Sequence, residues 1–209
     1  TESDMSRIDG INQEWESVAV DFDPFAAETL NAPSTEPQRE IWTAAAISAE
    51  ANAAYNTAVC LRLRGPLDVE RMRHALQGLV ARHDALRASF SADGQQLCIA
   101  PELAMDVRVI DLIATGMTLE DLRAREVRAT FDLARAPLVR ARIARVDVDD
   151  HALILTAHHL VCDGWSVGVL LNDLAALYNG AALEPAPAFR DYAALRAATP
   201  LDEAAMEEA

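Results

Sequence analysis

The segment HALILTAHHLVCDGWSVGVLLNDLAALY, residues 151–178, constrains the fold more than any other part of the chain. Its first nine residues are apolar almost throughout, which predicts a central strand that is covered on both faces. A tight Asp-Gly turn follows, and leucines at helical spacing then predict a helix from about Ser166 to Tyr178 that ends at an Asn-Gly pair. This order predicts a sharp turn between a buried strand and a helix with one core-facing side.

Strand and helix patterns alternate along the rest of the chain without internal repeats. Alternating apolar residues predict strands, and Ser, Thr or Asp ahead of an apolar stripe predicts helix starts. The fold class is therefore α/β, with helices on a mixed sheet. The predicted strands cover 57–65, 86–90, 96–100, 105–112, 138–146 and 151–159, and the predicted helices start near Pro37, Asp68, Thr118, Ser166 and Phe189.

Two of these strand patterns carry more specific expectations. The strand LVRARIARV, 138–146, alternates apolar residues with Arg140 and Arg142, so we expect one of its faces to contact water. The Asp93-Gly94 pair between two short apolar runs predicts a hairpin turn.

The ends of the chain differ in composition from its middle. Residues 1–33 lack sustained periodicity, and we interpret them as a linker or an N-terminal extension. Residues 201–209 hold four acids and no base, which predicts an acidic tail or a further linker. Residues 34–200 contain no internal linker, so we expect them to form one folded unit.

The charge and the cysteines exclude several classes of function. A net charge of -15 argues against nucleic acid or an anionic membrane as a partner, because both need clustered positive charge. No apolar run reaches the roughly 18–20 residues that span a bilayer. Cys60, Cys98 and Cys162 lie far apart with no CxxC pair, so neither a disulfide framework nor a zinc site is expected, and a reducing cytoplasm fits.

Two active-site signatures overlap in the segment 158–168. The pattern HHxxxDG makes a histidine the chemical residue, whereas GxSxG makes Ser166 a nucleophile on a strand-turn-helix elbow. A serine elbow needs a histidine base later in the chain, and no histidine follows His159. We therefore disfavour the serine hydrolase interpretation and assign Ser166 the role of helix N-cap.

The histidine signature is chemically sensible at the end of a strand. Adjacent strand residues point to opposite faces, so one of His158 and His159 can face a cleft while the other packs into the fold. An imidazole with a pKa near 6.5 can accept a proton at neutral pH. Asp163 could orient a histidine or pair with an arginine, and Gly164 permits a positive φ or close approach of a substrate. The residues alone leave open a buried histidine pair followed by an ordinary turn.

Three stretches in the same order resemble the motifs of one family. AHHLVCDGWSVGVLLNDLAALY is similar to the core motif of condensation domains of nonribosomal peptide synthetases. STEPQREIW, 34–42, resembles the opening motif of that family, and RHDALRASF, 82–90, its second motif. The resemblance covers about 34–200 and implies a chloramphenicol acetyltransferase-like lobe, with a mixed and mostly antiparallel sheet and flanking helices.

The resemblance also implies a role for each motif residue. His159 takes the catalytic position, where it deprotonates or orients the attacking α-amine of an acceptor aminoacyl thioester. His158 packs into the fold, and Gly164 lies where the substrate approaches. Asp163 holds the loop through an ion pair with Arg87, with Arg82 as the alternative partner.

The family's activity is amide formation between a donor and an acceptor thioester on upstream and downstream carrier proteins. The carriers deliver phosphopantetheine, so the resemblance implies no cofactor and no metal bound by this chain. Heterocyclization domains replace both histidines, and epimerization domains usually differ after the aspartate, so the motif favours a peptide-bond-forming type.

The length departs from the family, whose domains have two similar lobes and about twice as many residues. We therefore interpret the chain as an N-terminal lobe that lacks its C-terminal lobe and is inactive alone, with 201–209 as the possible start of the inter-lobe linker. One alternative is a non-catalytic lobe that binds carrier proteins as a scaffold. Another is a stand-alone acyltransferase that assembles its site between subunits, as chloramphenicol acetyltransferase trimers do.

Overall fold

A four-stranded sheet forms the centre of the computed structural model, which describes residues 29–199. Its strand order is β2-β7-β6-β5, where β5 and β6 run parallel and the other neighbours antiparallel. The predicted mixed and mostly antiparallel sheet is confirmed. Its strands are β2 (Asn56–Arg64), β5 (Asp106–Asp111), β6 (Val139–Asp147) and β7 (Asp150–His158).

Strand β7 lies inside this sheet, and every residue from His151 to His158 is buried, as its apolar sequence predicts. Helices cover both faces of the sheet. Odd-numbered residues of β7 pack with α3 and α6, and even-numbered residues pack with α4 and α5. The helices are α1 (Glu36–Ala45), α2 (Ala49–Ala54), α3 (Val69–Arg82), α4 (Leu112–Thr115), α5 (Leu119–Arg128), α6 (Gly164–Tyr178) and α7 (Phe189–Ala198). None of these helices is long and apolar enough to cross a membrane.

A second sheet of three short strands has the order β1-β4-β3, with β1 at Leu30–Pro33, β3 at Ala88–Phe90 and β4 at Gln96–Ile99. The hairpin predicted around Asp93-Gly94 joins β3 and β4, and Gly94 adopts a left-handed φ of 70° there.

The expected boundary at residue 33 is wrong, because Leu30–Pro33 pairs in antiparallel register with β4. A four-residue strand that ends in proline gives no sustained period, which explains why its sequence resembles a linker. The other residues interpreted as linkers or tails, 1–28 and 201–209, lie outside the described residues.

Arg140 and Arg142 on β6 do not face water, contrary to the expectation from their alternation. They are 7% and 6% exposed because α5 covers that face of the sheet and places the buried Glu126 between them. Arg140 Nε donates to Glu126 Oε2 at 2.9 Å, and Arg142 Nε donates to Oε1 at 3.0 Å. One carboxylate therefore joins two buried guanidinium groups.

This arrangement predicts a large loss of stability on substitution of Glu126→Ala. The two arginines would keep their charge in a buried site without their shared carboxylate, which costs about 3–5 kcal/mol for pairs of this kind. Denaturant unfolding of the two proteins measures the difference in the free energy of unfolding.

Glu120 on the same helix is a matched control, because it forms an exposed ion pair with Arg123 at 3.0 Å. Exposed pairs contribute about 0.2–1 kcal/mol, so Glu120→Ala should change stability little. Equal effects of the two substitutions would contradict the structural role assigned to Glu126.

Candidate functional site

The two adjacent histidines lie where the central strand ends. The backbone N–H of His158 donates to the Leu138 carbonyl at 2.9 Å, and that of His159 donates to the Tyr55 carbonyl at 2.8 Å. The backbone is thus held on both sides, and the pleat sends the two side chains to opposite faces. His158 is completely buried, whereas His159 is half-buried and lines a cleft.

His159 is held by a hydrogen bond within its own turn. Its Nδ1 lies 3.1 Å from the carbonyl oxygen of Cys162. A carbonyl can only accept, so Nδ1 carries the hydrogen in the neutral ring and Nε2 keeps its lone pair. This tautomer leaves Nε2 as the atom that can accept a proton or a hydrogen bond.

His158 adopts the opposite tautomer. Its Nδ1 accepts a hydrogen bond from the N–H of Leu160 at 3.2 Å, so Nε2 carries the hydrogen. The ring packs between Tyr55 and Phe131, with ring centroids at 6.1 and 6.2 Å. Burial lowers the pKa of His158 to about 4, so the ring is neutral at pH 7. This placement agrees with a packing role.

Asp163 is the N-cap of α6 and not the partner of an arginine. Its Oδ1 accepts hydrogen bonds from the N–H of Ser166 at 2.7 Å and from the Ser166 hydroxyl at 2.6 Å. These two donors hold the pKa of Asp163 below its usual range, so the carboxylate stays ionised. The helix begins at Gly164, and the assignment of Ser166 as its N-cap is therefore wrong.

The ion pair expected between Asp163 and Arg87 does not form within residues 29–199. Arg87 instead donates to the carbonyls of Val80 and Ala81 at 2.6 and 2.7 Å, and to that of Ala100 at 2.8 Å. The physical reason is that the last carbonyls of a helix lack intrahelical partners, and α3 ends beside Arg87.

The alternative partner, Arg82, is also engaged elsewhere, since its Nε binds Asp173 at 2.7 Å. Asp163 therefore stabilises its loop by capping a helix, and neither arginine of the second motif reaches it.

Gly164 does not use the conformational freedom that its sequence position suggested. The φ angle of Gly164 is not in the left-handed region. A Cβ added at Gly164 would meet nothing within 4 Å. The described part of the chain therefore leaves open space beside Gly164, with no need for a left-handed backbone.

The cleft beside His159 has a volume of about 480 Å³. Its floor is the turn from His159 to Asp163, and its walls come from α1, α6, α7 and the end of α3. Trp165 and Tyr192 at its rim are 84% and 52% exposed. The Cys162 thiol beneath it has a pKa raised to about 11 by burial, so it is a poor nucleophile.

Sequence reasoning missed several residues of this cleft. Gln38, inside the opening motif, donates from Nε2 to the Leu160 carbonyl at 2.9 Å and so ties α1 to the histidine turn. His83, inside the second motif, lines the same cleft as His159. The two motifs are the signal that could have identified Gln38 and His83. Both residues are polar, lie near the start or end of a predicted element and have no obvious packing role.

Ser166 lacks the partner that a serine nucleophile needs. Its hydroxyl donates to the Asp163 carboxylate, while the His159 Nδ1 is bound to the Cys162 carbonyl. The rejection of the serine hydrolase interpretation therefore agrees with the hydrogen bonds of the cleft.

The buried state of His158 predicts a pH-dependent stability. Its pKa is about 4 in the folded state and about 6.5 when unfolded, so the unfolded chain binds more protons between these values. Stability therefore falls as pH falls through this window, by about 2.5 kcal/mol between pH 7 and pH 4.5 from this group. Urea unfolding at the two pH values should show a smaller difference for His158→Asn than for the wild type.

His74, an exposed histidine on α3, provides the control for this measurement. His74→Asn should leave the pH dependence of unfolding as in the wild type. If His158→Asn also leaves it unchanged, the buried neutral state assigned to His158 is wrong.

Comparisons with known proteins agree with this geometry. The family profile of the Condensation domain matches residues 29–208. Surfactin synthase subunit 1 of Bacillus subtilis (strain 168) is 35% identical over 145 residues, which are 69% of this chain and 4% of that protein. Cyclosporin synthetase of Tolypocladium inflatum is 37% identical over 144 residues, which are 66% of this chain and 1% of that protein.

Solved structures show the same fold over part of their length. The cyclization-docking bidomain from Sorangium cellulosum superposes with a TM-score of 0.73 at 25% identity, over 85% of this chain and 37% of that one. The X-domain from teicoplanin biosynthesis gives 0.67 at 31% identity, over 79% and 38%. The chain thus spans well under half of the length of these relatives. Since the profile matches most of the chain, this protein belongs to the condensation-domain family.

Proposed function

We propose that this chain is the N-terminal lobe of a peptide-bond-forming condensation domain of a nonribosomal peptide synthetase. The complete domain would join a donor acyl or peptidyl thioester to an acceptor aminoacyl thioester, each attached to a carrier protein. The observation that supports this most strongly is the imidazole of His159, which lines an open cleft with Nδ1 bonded to Cys162 O and Nε2 left as the acceptor.

The proposed chemistry needs one proton acceptor beside the attacking nitrogen. The α-amine attacks the thioester carbonyl, the C–N bond forms, and the C–S bond breaks with release of the thiol. Nε2 of His159 would accept a proton from the amine, or a hydrogen bond that orients it. Asp163 and Gln38 would act indirectly, because they hold the turn that carries His159. Gly164, with open space beside it, would let the substrate approach the backbone.

The exposed rim of the cleft favours a second lobe as a partner. Trp165 and Tyr192 leave large aromatic surfaces exposed on this side of the cleft. The family members described above are more than twice as long as the matched part. We therefore propose that a C-terminal lobe covers this side and that the isolated lobe does not turn over substrate.

The carriers would supply the phosphopantetheine arms, so the proposal includes no cofactor bound by this lobe itself. The proposal places the chain in the cytoplasm, where cysteine thiols stay reduced.

The proposal predicts that His159→Ala abolishes condensation in the complete domain. Loss of a general base lowers the rate by about 10²–10⁴-fold, while the fold should survive because the side chain lies at a cleft surface. Amide formation between two charged carrier proteins measures the rate, and circular dichroism with carrier titration checks folding and binding.

His74→Ala is the matched control, because it removes an exposed histidine outside the cleft. It should condense at the wild-type rate. A His159→Ala domain that forms product at a near wild-type rate would show that His159 has been given the wrong role.

A second candidate function is a non-catalytic lobe that binds partner proteins. The observation in its favour is the similarity to the teicoplanin X-domain, which is described in complex with OxyB and is 32% identical to this chain over the aligned part. Titration of the 209-residue chain with carrier proteins, beside a condensation assay of the complete domain, separates the two functions. If this chain binds carrier proteins and the complete domain forms no amide, the scaffold function is favoured.

A further inference from the structure

A second histidine lines the cleft of His159. His83 follows α3 directly and forms part of the same wall as the adjoining turn, Asp84–Arg87. Its Nε2 lies 2.8 Å from Oδ2 of Asp173 on α6. A carboxylate accepts, so Nε2 carries the hydrogen and Nδ1 keeps a lone pair. Nδ1 is therefore the ring nitrogen that can accept a proton.

The carboxylate that binds His83 is also bound by an arginine. Arg82 on α3 binds the same oxygen of Asp173 at 2.7 Å, and the pKa of Asp173 lies below its usual range, so the carboxylate stays ionised. The residue after His83, Asp84, binds another wall of the cleft. Its carboxylate accepts the N–H groups of Phe189 and Arg190 at 2.8 and 3.2 Å at the start of α7.

The imidazole of His83 and the guanidinium of Arg82 thus share one carboxylate, that of Asp173.

Amide formation from an ammonium and a thioester releases one net proton. The acceptor amine, with an ordinary pKa of about 8, is mostly an ammonium at neutral pH. Its nitrogen loses two protons when it becomes an amide N–H. One proton goes to the thiolate that leaves when the C–S bond breaks, since a thiol with a pKa of about 8.5 is protonated near pH 7. The other proton has to leave the nitrogen as well, and His159 can hold only one at a time.

We propose that His83 takes up this second proton through water in the cleft, and that Asp173 stabilises the imidazolium. His159 then serves the transfer from nitrogen to sulfur, while His83 removes the proton that the overall reaction releases. This inference rests on the proposed function, because it assumes the condensation reaction in the same cleft.

The test is the pH profile of condensation by the complete domain with His83→Gln. A glutamine amide can still donate to Asp173 but takes no proton. We expect a rate that is roughly tenfold lower than that of the wild type near pH 6.5–7. This loss is smaller than the loss caused by removing a direct general base, because the transfer to His83 runs through water. The two rates should converge toward about pH 9, where the amine is already neutral, and added imidazole should restore the rate near neutrality.

Arg82→Gln is the matched control, because it removes a group on the same carboxylate and keeps the imidazole. It should show no loss confined to neutral pH and no rescue by imidazole. A His83→Gln rate equal to wild type at every pH, or reduced by the same factor at every pH without rescue, would overturn the inference and leave His83 a structural residue.

An NMR titration of the wild-type chain gives an independent check if the variant does not fold. The His83 ring should change reversibly between its neutral and protonated forms as the pH is varied, and a ring that keeps one state throughout overturns the inference. A wild-type domain that forms no amide contradicts the proposed function itself. An active wild type with an unaffected His83→Gln variant contradicts this inference alone.

Discussion

The pleat at the end of β7 is the constraint on which the rest of the site depends. Because β7 is paired on both sides, with β2 and β6, its last residues cannot rotate to bring both imidazoles to one face. His158 continues the even-numbered face and enters the core. His159, one residue later, reaches the cleft. A strand at the edge of the sheet would fix this direction less well.

Three sequence motifs converge around the cleft through hydrogen bonds to backbone groups. Gln38 holds the Leu160 carbonyl, Asp163 caps α6, and Asp84 caps α7 from outside the helix, where the helix has no side-chain cap of its own. Each bond satisfies a backbone group that an irregular turn or a helix end leaves free. The motif residues thus fix the shape of the cleft, and few of them are available for chemistry.

Local patterns predicted the elements well because they depend on short-range periodicity and capping. The central strand, the hairpin at Asp93-Gly94, the helix start at Thr118 and the final helix follow from neighbouring residues alone. The orientation of the two histidines also follows from the period of a strand. The partners of charged side chains do not, because they depend on which element lies opposite.

The wrong predictions for the arginines share this cause. Arg140 and Arg142 look solvent-exposed until α5 brings Glu126 over them, 14 and 16 residues earlier in the chain. Arg87 was paired with Asp163 because both belong to matching motifs, but the free carbonyls at the end of α3 are closer to it. The expected cap at Ser166 is wrong for a local reason, because the helix begins two residues earlier, at Gly164, and Asp163 caps it.

The central claim is that the two neighbouring histidines hold opposite tautomers, one packed in the core and one set for proton transfer. Two-bond ¹H–¹⁵N correlation spectra of the labelled chain at about pH 8, where an ordinary imidazole is neutral, distinguish the two nitrogens of each ring. The account predicts a hydrogen on Nδ1 of His159 and on Nε2 of His158. A hydrogen on Nε2 of His159 would contradict it, because the proposed function requires that nitrogen to be free to accept a proton.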